Sequence, residues 1–196
     1  CYQDFNDIRS QFYASSEWTS GYPAATGIGT QHGGILVDFN AVKGGIEIIP
    51  LDNDWQKAAH VYSDEVLISH RTDAEKGTPK FERGKSLSDY QCEMIYISGT
   101  AAIRGEESIV TGDVLVQTEI TLENIQHLIG LEEGREKLPE HSGKLELLRV
   151  YLKHEEDAKI VKEDMDKLCP DVPIVYLYAD VCREELLVEI EGIAYL

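Results

Sequence analysis

The chain has 196 residues, 42% of them hydrophobic, and none of its apolar runs approaches the roughly 20 residues that a transmembrane helix needs. Its 36 acidic and 18 basic residues give a formal net charge of -18, and a surface of that sign repels phosphate backbones. We therefore expect a globular chain that buries a core and has neither a nucleic-acid nor a membrane partner.

The spacing of cysteines and histidines favours no cross-link and no metal. The four cysteines are scattered without a CxxC pair, which favours reduced thiols and a cytoplasmic location. The six histidines show neither HxxxH nor HxH spacing, so we predict no metal site.

The first half of the chain predicts short elements joined by loops. Residues 2–12 predict a helix that carries Phe5, Ile8 and Phe12 on one face. Residues 46–49 predict a strand that Pro50 ends, 54–59 a helical turn and 66–69 another strand. Residues 70–89 are polar and rich in turn residues, which predicts a flexible loop.

The middle of the chain predicts a strand, a charged loop and a long helix. The apolar run at residues 95–97 predicts a strand that breaks at Ser98-Gly99-Thr100, and residues 104–107 form the charged loop. Apolar residues at helical spacing predict a helix over 113–129. Asp113 is its expected N-cap, because an aspartate carboxylate accepts hydrogen bonds from the free amides of a first turn.

The remainder of the chain continues in the same alternation. Residues 132–143 predict a polar linker, 145–152 a strand and 154–168 a helix, followed by strands at 174–181 and 187–194. The order β, α, β, α, β, β predicts an α+β fold in which both helices pack on one face of a sheet.

Five short motifs carry a family resemblance. They are Ser98-Gly99, Gly112-Asp113, Gln117-Thr118, residues 122–125 (LENI) and the closing segment 181–194 (VCREELLVEIEGIA). In this order they resemble the YjgF/RidA superfamily, also called endoribonuclease L-PSP-like. The resemblance implies a chorismate mutase-like unit and a homotrimer with ligand clefts between neighbouring subunits. It also implies that no metal or organic cofactor is used.

The same resemblance predicts how the chain is divided. Residues 19–42 resemble the closing part of such a unit, with 37–42 as its last strand. We therefore expect residues 1–50 to be the C-terminal remnant of a first half. Residues 51–77 would form a connection, and 78–196 a complete YjgF/RidA-like domain.

Two carboxylates in the closing segment are candidates for chemistry. Glu189 and Glu191 project to the same face if this segment is a strand, because side chains alternate along a strand. A solvated strand edge would carry the same pair. The resemblance implies that Glu189 is the residue that reaches the family's cleft, where a carboxyl with a raised pKa acts as general acid or base. Glu191 is the weaker candidate.

The chain departs from the family's deaminase pattern at one position. Deaminase members carry an arginine shortly after the proline that enters the penultimate strand, and its guanidinium holds the substrate carboxylate. Here Pro173 is followed by Ile174, Val175 and Tyr176. An apolar side chain cannot bind a carboxylate, so the pattern argues against the usual imine deamination.

Other arginines could supply the missing charge, although each could also be a solvated surface charge. Arg83 ranks first, because with Phe81 it occupies the segment that lines the cleft in relatives. Arg183 precedes the last strand, and Arg104 lies in the charged loop.

Five further residues are candidates for substrate binding. Ser98, Gly99 and Thr100 end a strand and offer hydroxyls and backbone amides to an anion or carbonyl oxygen, although a structural turn would use the same residues. Tyr176 and Cys182 could line the pocket or belong to the core of the sheet.

Three segments resemble the chorismatase-type branch of the superfamily: Phe-x-Arg at 81–83, ISGTA at 97–101 and ADVCR at 179–183. That resemblance implies hydrolysis of the enol ether of chorismate, with release of pyruvate. Glu189 would donate the proton, and Arg83 with Arg183 would bind carboxylate. The alternatives are a RidA-type imine deaminase and a non-catalytic module that binds a small carboxylate-bearing metabolite.

Overall fold

The computed structural model describes most of the chain. The described ranges are 2–16, 20–67, 76–89, 91–130 and 144–196. The predicted linker at 132–143 and parts of the predicted elements at 66–69 and 70–89 lie outside these ranges. No helix among the described residues is both long and apolar enough to span a bilayer.

A six-stranded sheet forms the centre of the fold. Its strands in chain order are β1 (Glu47–Leu51), β2 (Gly84–Ser88), β3 (Glu93–Thr100), β6 (Lys144–Leu152), β7 (Ile174–Tyr178) and β8 (Val188–Tyr195). Their spatial order is β1-β2-β3-β8-β6-β7, and only the β6–β7 pair is parallel. A separate small hairpin joins β4 (Ile103–Arg104) to β5 (Glu107–Ser108), where the sequence predicts a charged loop.

Two helices, α2 (Val114–Leu128) and α3 (Ala158–Leu168), cover one face of this sheet. Asp113 caps α2 as predicted, since its carboxylate accepts from the Leu115 amide at 2.9 Å. The core between helices and sheet is fully buried at Ile125, Leu148 and Val161, among others. The predicted α+β fold, with both helices on one face, is confirmed.

The first helix, α1 (Tyr2–Ser15), extends slightly beyond its predicted end. Unlike an ordinary amphipathic helix, α1 turns a polar side towards the protein, because Gln3 and Asn6 are buried. The apolar residues that share a face are 52%, 66% and 56% exposed, in the order Phe5, Ile8 and Phe12.

The strand predicted at residues 37–42 is wrong. These residues pair with no strand among the described residues, and Val37 and Phe39 are 71% and 80% exposed. An isolated strand is not stable without a neighbour that satisfies its backbone groups.

The connection differs from its prediction in two places. A helical turn is predicted at 54–59, but the structure has a 3₁₀ helix at Ala59–Val61. Before this helix, the Asn53 side chain accepts a hydrogen bond from the Trp55 amide, and the Asn53 carbonyl oxygen accepts one from the Gln56 amide. The predicted loop at 70–89 contains β2, whose polar sequence is ordered by hydrogen bonds to β1 and β3 on its two sides.

The strand predicted at residues 46–49 is present as β1, and it is an edge strand of the six-stranded sheet. Residues 47–50, which the predicted boundary assigns to a first half, therefore pair with the second unit.

Candidate functional site

A cavity lies on the sheet face opposite α2 and α3. Alternation along β8 places it there, because Val188 and Ile190 are fully buried towards the helices while Glu189 points the other way. Its lining residues are Phe5, Arg9, Ala25, Gly27, Tyr62, Val66, Leu67, Pro79, Phe81, Arg83, Gly99, Ala101, Ile103, Cys182, Arg183, Leu186 and Glu189. The wall is mainly apolar, with one carboxyl and three guanidinium groups.

Glu189 is the carboxyl of this cavity and is only 8% exposed. Its pKa is raised to about 8, first by burial and second by the negative charge of Glu191, while Arg83 opposes the shift. A carboxyl with this pKa keeps its proton at neutral pH, so it can act as a general acid.

Arg83 is 4% exposed and lies between two aromatic rings. Its Cζ is 5.6 Å from the ring centre of Phe81 and 5.5 Å from that of Tyr62. Its Nη2 donates to the Lys57 carbonyl oxygen at 2.6 Å and to the Tyr62 hydroxyl. The buried Nε has no hydrogen-bond partner among the described residues.

Arg183 also lies near Tyr62, with its Cζ 5.5 Å from the ring centre. Its Nη1 donates to the Glu106 carbonyl oxygen at 2.9 Å and to the Ser108 hydroxyl at 3.0 Å. The hairpin thus fixes Arg183, and the Tyr62 ring lies close to two cations of the cavity.

Gly99 is placed where only a glycine fits. A Cβ at this position would overlap the Glu189 carboxylate and lie 2.7 Å from Thr26 Cγ2. The Gly99 amide donates to Thr26 Oγ1 at 2.9 Å, so it is already engaged. The absence of a side chain at Gly99 therefore leaves room for the Glu189 carboxylate.

Ser98 and Thr100 use their hydroxyls within the protein. Ser98 Oγ donates to the Glu82 carbonyl oxygen at 2.5 Å and accepts from the Ala25 amide at 3.0 Å. Thr100 Oγ1 donates to the Ser98 carbonyl oxygen at 2.9 Å. Neither residue lines the cavity, and both stabilise the backbone around it.

The remaining candidates divide between the cavity and other places. Cys182 lines the cavity, and its Sγ donates to the Gly27 carbonyl oxygen at 3.3 Å. Tyr176 does not line it; the ring packs against the helix-covered core, 5.8 Å from Lys162 Nζ. Arg104 is also elsewhere, because its Nη2 pairs with Glu123 at 2.6 Å on α2.

The N-terminal residues close the cavity through a strap, residues 20–29. The Tyr22 amide donates to Glu82 Oε1 at 2.7 Å, and the Glu82 amide donates to the Pro23 carbonyl oxygen at 3.0 Å. At the far end, Gly29 and Asp180 exchange two backbone hydrogen bonds. The cavity wall facing the sheet thus belongs to the same chain.

Two polar residues of the lining were missed by sequence reasoning, along with several apolar ones. Arg9 lies on α1, with its Nη2 bonded to Asn6 Oδ1 at 2.8 Å, and Tyr62 follows the short 3₁₀ helix. Neither belongs to a motif, and both reach the cavity only through tertiary packing. Among the described residues, no group of three or more His, Cys, Asp and Glu side chains is arranged to hold a metal ion.

Comparisons with known proteins agree with this fold and with these motifs. No family model matches the chain. A chorismatase of Streptomyces rapamycinicus is 35% identical over 179 residues, which cover 87% of this chain and 50% of the relative. A 3-hydroxybenzoate synthase of Streptomyces hygroscopicus is 32% identical over 185 residues, which cover 88% of this chain and 50% of the relative. The chain spans about half the length of these curated relatives.

Solved structures add to the sequence relatives. The crystal structure of a chorismatase superposes with a TM-score of 0.74 at 27% identity, covering 98% of this chain and 57% of that one. An endoribonuclease L-PSP from Entamoeba histolytica matches with a TM-score of 0.51 at 12% identity over 76% of this chain and all of its own, which shows the fold alone. In sequence and in fold the chain is therefore similar to chorismatases, and it shares the fold of the endoribonuclease L-PSP structure.

Proposed function

We propose that this chain hydrolyses the enol ether of chorismate and releases pyruvate. The observation that carries the proposal is the buried Glu189 carboxyl, whose pKa of about 8 keeps it protonated in a cavity that also holds arginines. The names of the two Streptomyces relatives support the same substrate class.

The arginines supply the binding step. Chorismate carries two carboxylates, and guanidinium groups bind carboxylates through charge-assisted hydrogen bonds. The guanidinium carbons of Arg83 and Arg183 each lie 5.5 Å from the Tyr62 ring centre, and Arg9 adds a third positive charge from α1. These local charges attract a small dianion despite the acidic composition of the whole chain.

Glu189 supplies the chemical step. Its proton is transferred to the methylene carbon of the enolpyruvyl group, which leaves an oxocarbenium ion at the ether carbon. Water adds to that carbon and loses a proton, and the resulting hemiketal collapses to pyruvate and a dihydroxycyclohexadiene acid. The apolar wall limits the access of bulk water, so the developing charge interacts mainly with fixed protein groups.

The test is to incubate the full chain with chorismate and to measure pyruvate, with mass spectrometry of the ring product. A dihydroxy acid indicates hydrolysis, whereas 3-hydroxybenzoate, which is one water lighter, indicates elimination at the ring. Glu189→Gln should lower pyruvate release by about 10²–10⁴-fold, the usual contribution of a general acid. Glu163→Gln, at an exposed site on α3, is the matched control.

Three results would contradict the proposal. Unchanged turnover in Glu189→Gln would show that Glu189 is not the general acid. Ammonia release from 2-aminoacrylate without pyruvate from chorismate would favour the deaminase, and binding of chorismate without turnover of either would favour the binding module.

Three organisational expectations accompany this function as proposals. Residues 1–50 are the remnant of a first half, 51–77 a connection and 78–196 the complete domain; the exposed apolar residues at 35–42 support this division. The chain assembles as a homotrimer in the cytoplasm. Light scattering of the purified chain measures the trimer, and a monomer at micromolar concentration would contradict it.

A further inference from the structure

A second carboxylate lies beside Glu189 on the same strand face. Glu191 is two residues further along β8, and its side chain is 15% exposed. It is not among the residues that line the cavity. Its position therefore raises the question of what a second, nearly buried anion does so close to the proposed acid.

Glu191 is held by two donors from the neighbouring strand β6. Arg149 Nη1 donates to Glu191 Oε1 at 2.8 Å, and the Tyr151 hydroxyl donates to the same oxygen at 2.7 Å. The β6–β8 register places Arg149 opposite Glu191 and Tyr151 opposite Glu189. A guanidinium and a hydroxyl that donate to one carboxylate oxygen fix the position of the Glu191 side chain.

We propose that Glu191, fixed by Arg149 and Tyr151, is a positioning residue whose negative charge keeps the neighbouring Glu189 carboxyl protonated for its role as acid. The inference rests on the proposed function for that role. Its basis is geometric, since two carboxylates on one strand face cannot both be charged without mutual repulsion.

The other charges around Glu189 show why such an anion is needed. The titratable groups that face Glu189 or line its cavity come from several elements: Arg9 on α1, Tyr62 in the connection, Arg83 before β2, Tyr151 on β6, and Cys182 and Arg183 before β8. Among these groups, Arg83 lowers the pKa of Glu189 and so favours the ionised carboxylate, and Glu191 opposes it. Its charge is the second cause of the raised pKa of Glu189, after burial and ahead of the opposing Arg83.

The test is a carbon-13 NMR titration of the full chain labelled at glutamate carboxyls, without substrate. The Glu189 signal is assigned by its loss in Glu189→Gln. In Glu191→Gln, which keeps the side-chain size and an acceptor oxygen for Tyr151, the midpoint of Glu189 should fall by about one pH unit. Glu191→Asp keeps the charge, so its midpoint should stay close to the wild-type value.

Arg149→Met provides a second variant at a side chain that is 43% exposed. Removal of the cation that offsets Glu191 should raise the midpoint of Glu189. An unchanged midpoint in both Glu191→Gln and Arg149→Met would overturn the inference, as would an equal fall in Glu191→Gln and Glu191→Asp.

The titration tests the role of Glu191 and the pyruvate assay tests the proposed function, so each proposal can fail without the other. A lowered midpoint in Glu191→Gln together with no pyruvate from the wild-type chain would contradict the proposed function and leave the electrostatic role intact. Pyruvate release with an unchanged midpoint would contradict only the role of Glu191.

Discussion

Residues 84–196 and residues 2–67 meet at the cavity, but different interactions hold them in shape. In the first region, strand pairing and the densely packed core between the sheet and the helices fix the position of Glu189. In the second, regular structure is sparse, and the strap is held by separate hydrogen bonds to Glu82, Ser98, Gly99 and Asp180.

The difference separates the reacting group from the groups that surround it. The sheet positions the acid, whereas α1, the strap and the connection supply Arg9, Tyr62 and the wall that limits solvent. Segments that are held by few hydrogen bonds open at lower free energy than a packed sheet. Changes in the first region should therefore affect the chemical step, and changes in the second should affect binding and closure.

Among changes that leave Glu189 itself unsubstituted, the largest expected effect comes from the point where the two regions touch. Gly99→Ala places a methyl group into the Glu189 carboxylate and against Thr26, so the acid must shift. A displacement of about 1 Å at a reacting group costs on the order of 100-fold in rate. Steady-state pyruvate release should show this loss in kcat, and Gly33→Ala serves as the control, because no atom lies within 4 Å of its added Cβ. Equal kcat for Gly99→Ala and wild type would show that the close approach is not required.

Arg83→Met tests the cation nearest the acid. It removes charge-assisted hydrogen bonds that are worth about 1.5–3 kcal/mol each, so KM for chorismate should rise by on the order of tenfold to 100-fold. Without the opposing guanidinium, the pKa of Glu189 should also rise, because Arg83 lowers it. The pH profile of kcat/KM measures the second effect, and a profile that moves to lower pH would contradict it.

Sequence patterns predicted the first region well for a physical reason. The apolar periodicity of residues 113–129 and 145–152 records burial directly, since Leu122, Leu148 and Leu152 face the core. The strand β2 was missed because GKSLS has little apolar content, and its order comes from neighbours on both sides.

The site was predicted only in part. Glu189, Arg83 and Gly99 stand in motifs and line the cavity together. Ser98 and Thr100 stand in the same motif, but nothing local shows that their hydroxyls bond to the backbone. Sequence patterns could not identify Arg9 and Tyr62 as site residues. Both lie far from Glu189 along the chain, and only the packing of the second region brings them to the cavity.

Arg9→Met tests whether the second region takes part in binding. The side chain lines the cavity from α1, so its loss should raise KM by about fivefold, in keeping with a pair worth about 1 kcal/mol near the surface. The value of kcat should stay unchanged. Lys159→Met, at an exposed site on α3, is the control. A fall in kcat with constant KM would place Arg9 in the chemical step instead.

Ser98→Ala should have the smallest effect on turnover, because its hydroxyl stabilises the strap and does not line the cavity. The substitution leaves the Ala25 amide and the Glu82 carbonyl without this partner, which should lower the free energy of unfolding by about 1–3 kcal/mol. Urea unfolding measures the loss, with Ser15→Ala on exposed α1 as control. Equal stability of both variants would show that the strap does not depend on Ser98.

The pH dependence of pyruvate release tests the central claim most directly, because it asks which form of Glu189 is active. An acid must carry its proton, so kcat/KM should be constant around neutral pH and fall above about pH 8, where Glu189 ionises. The residual activity of Glu189→Gln should show no such fall. Activity that instead rises as pH increases through 8 would mean that the ionised carboxylate is the working form, and it would contradict the account.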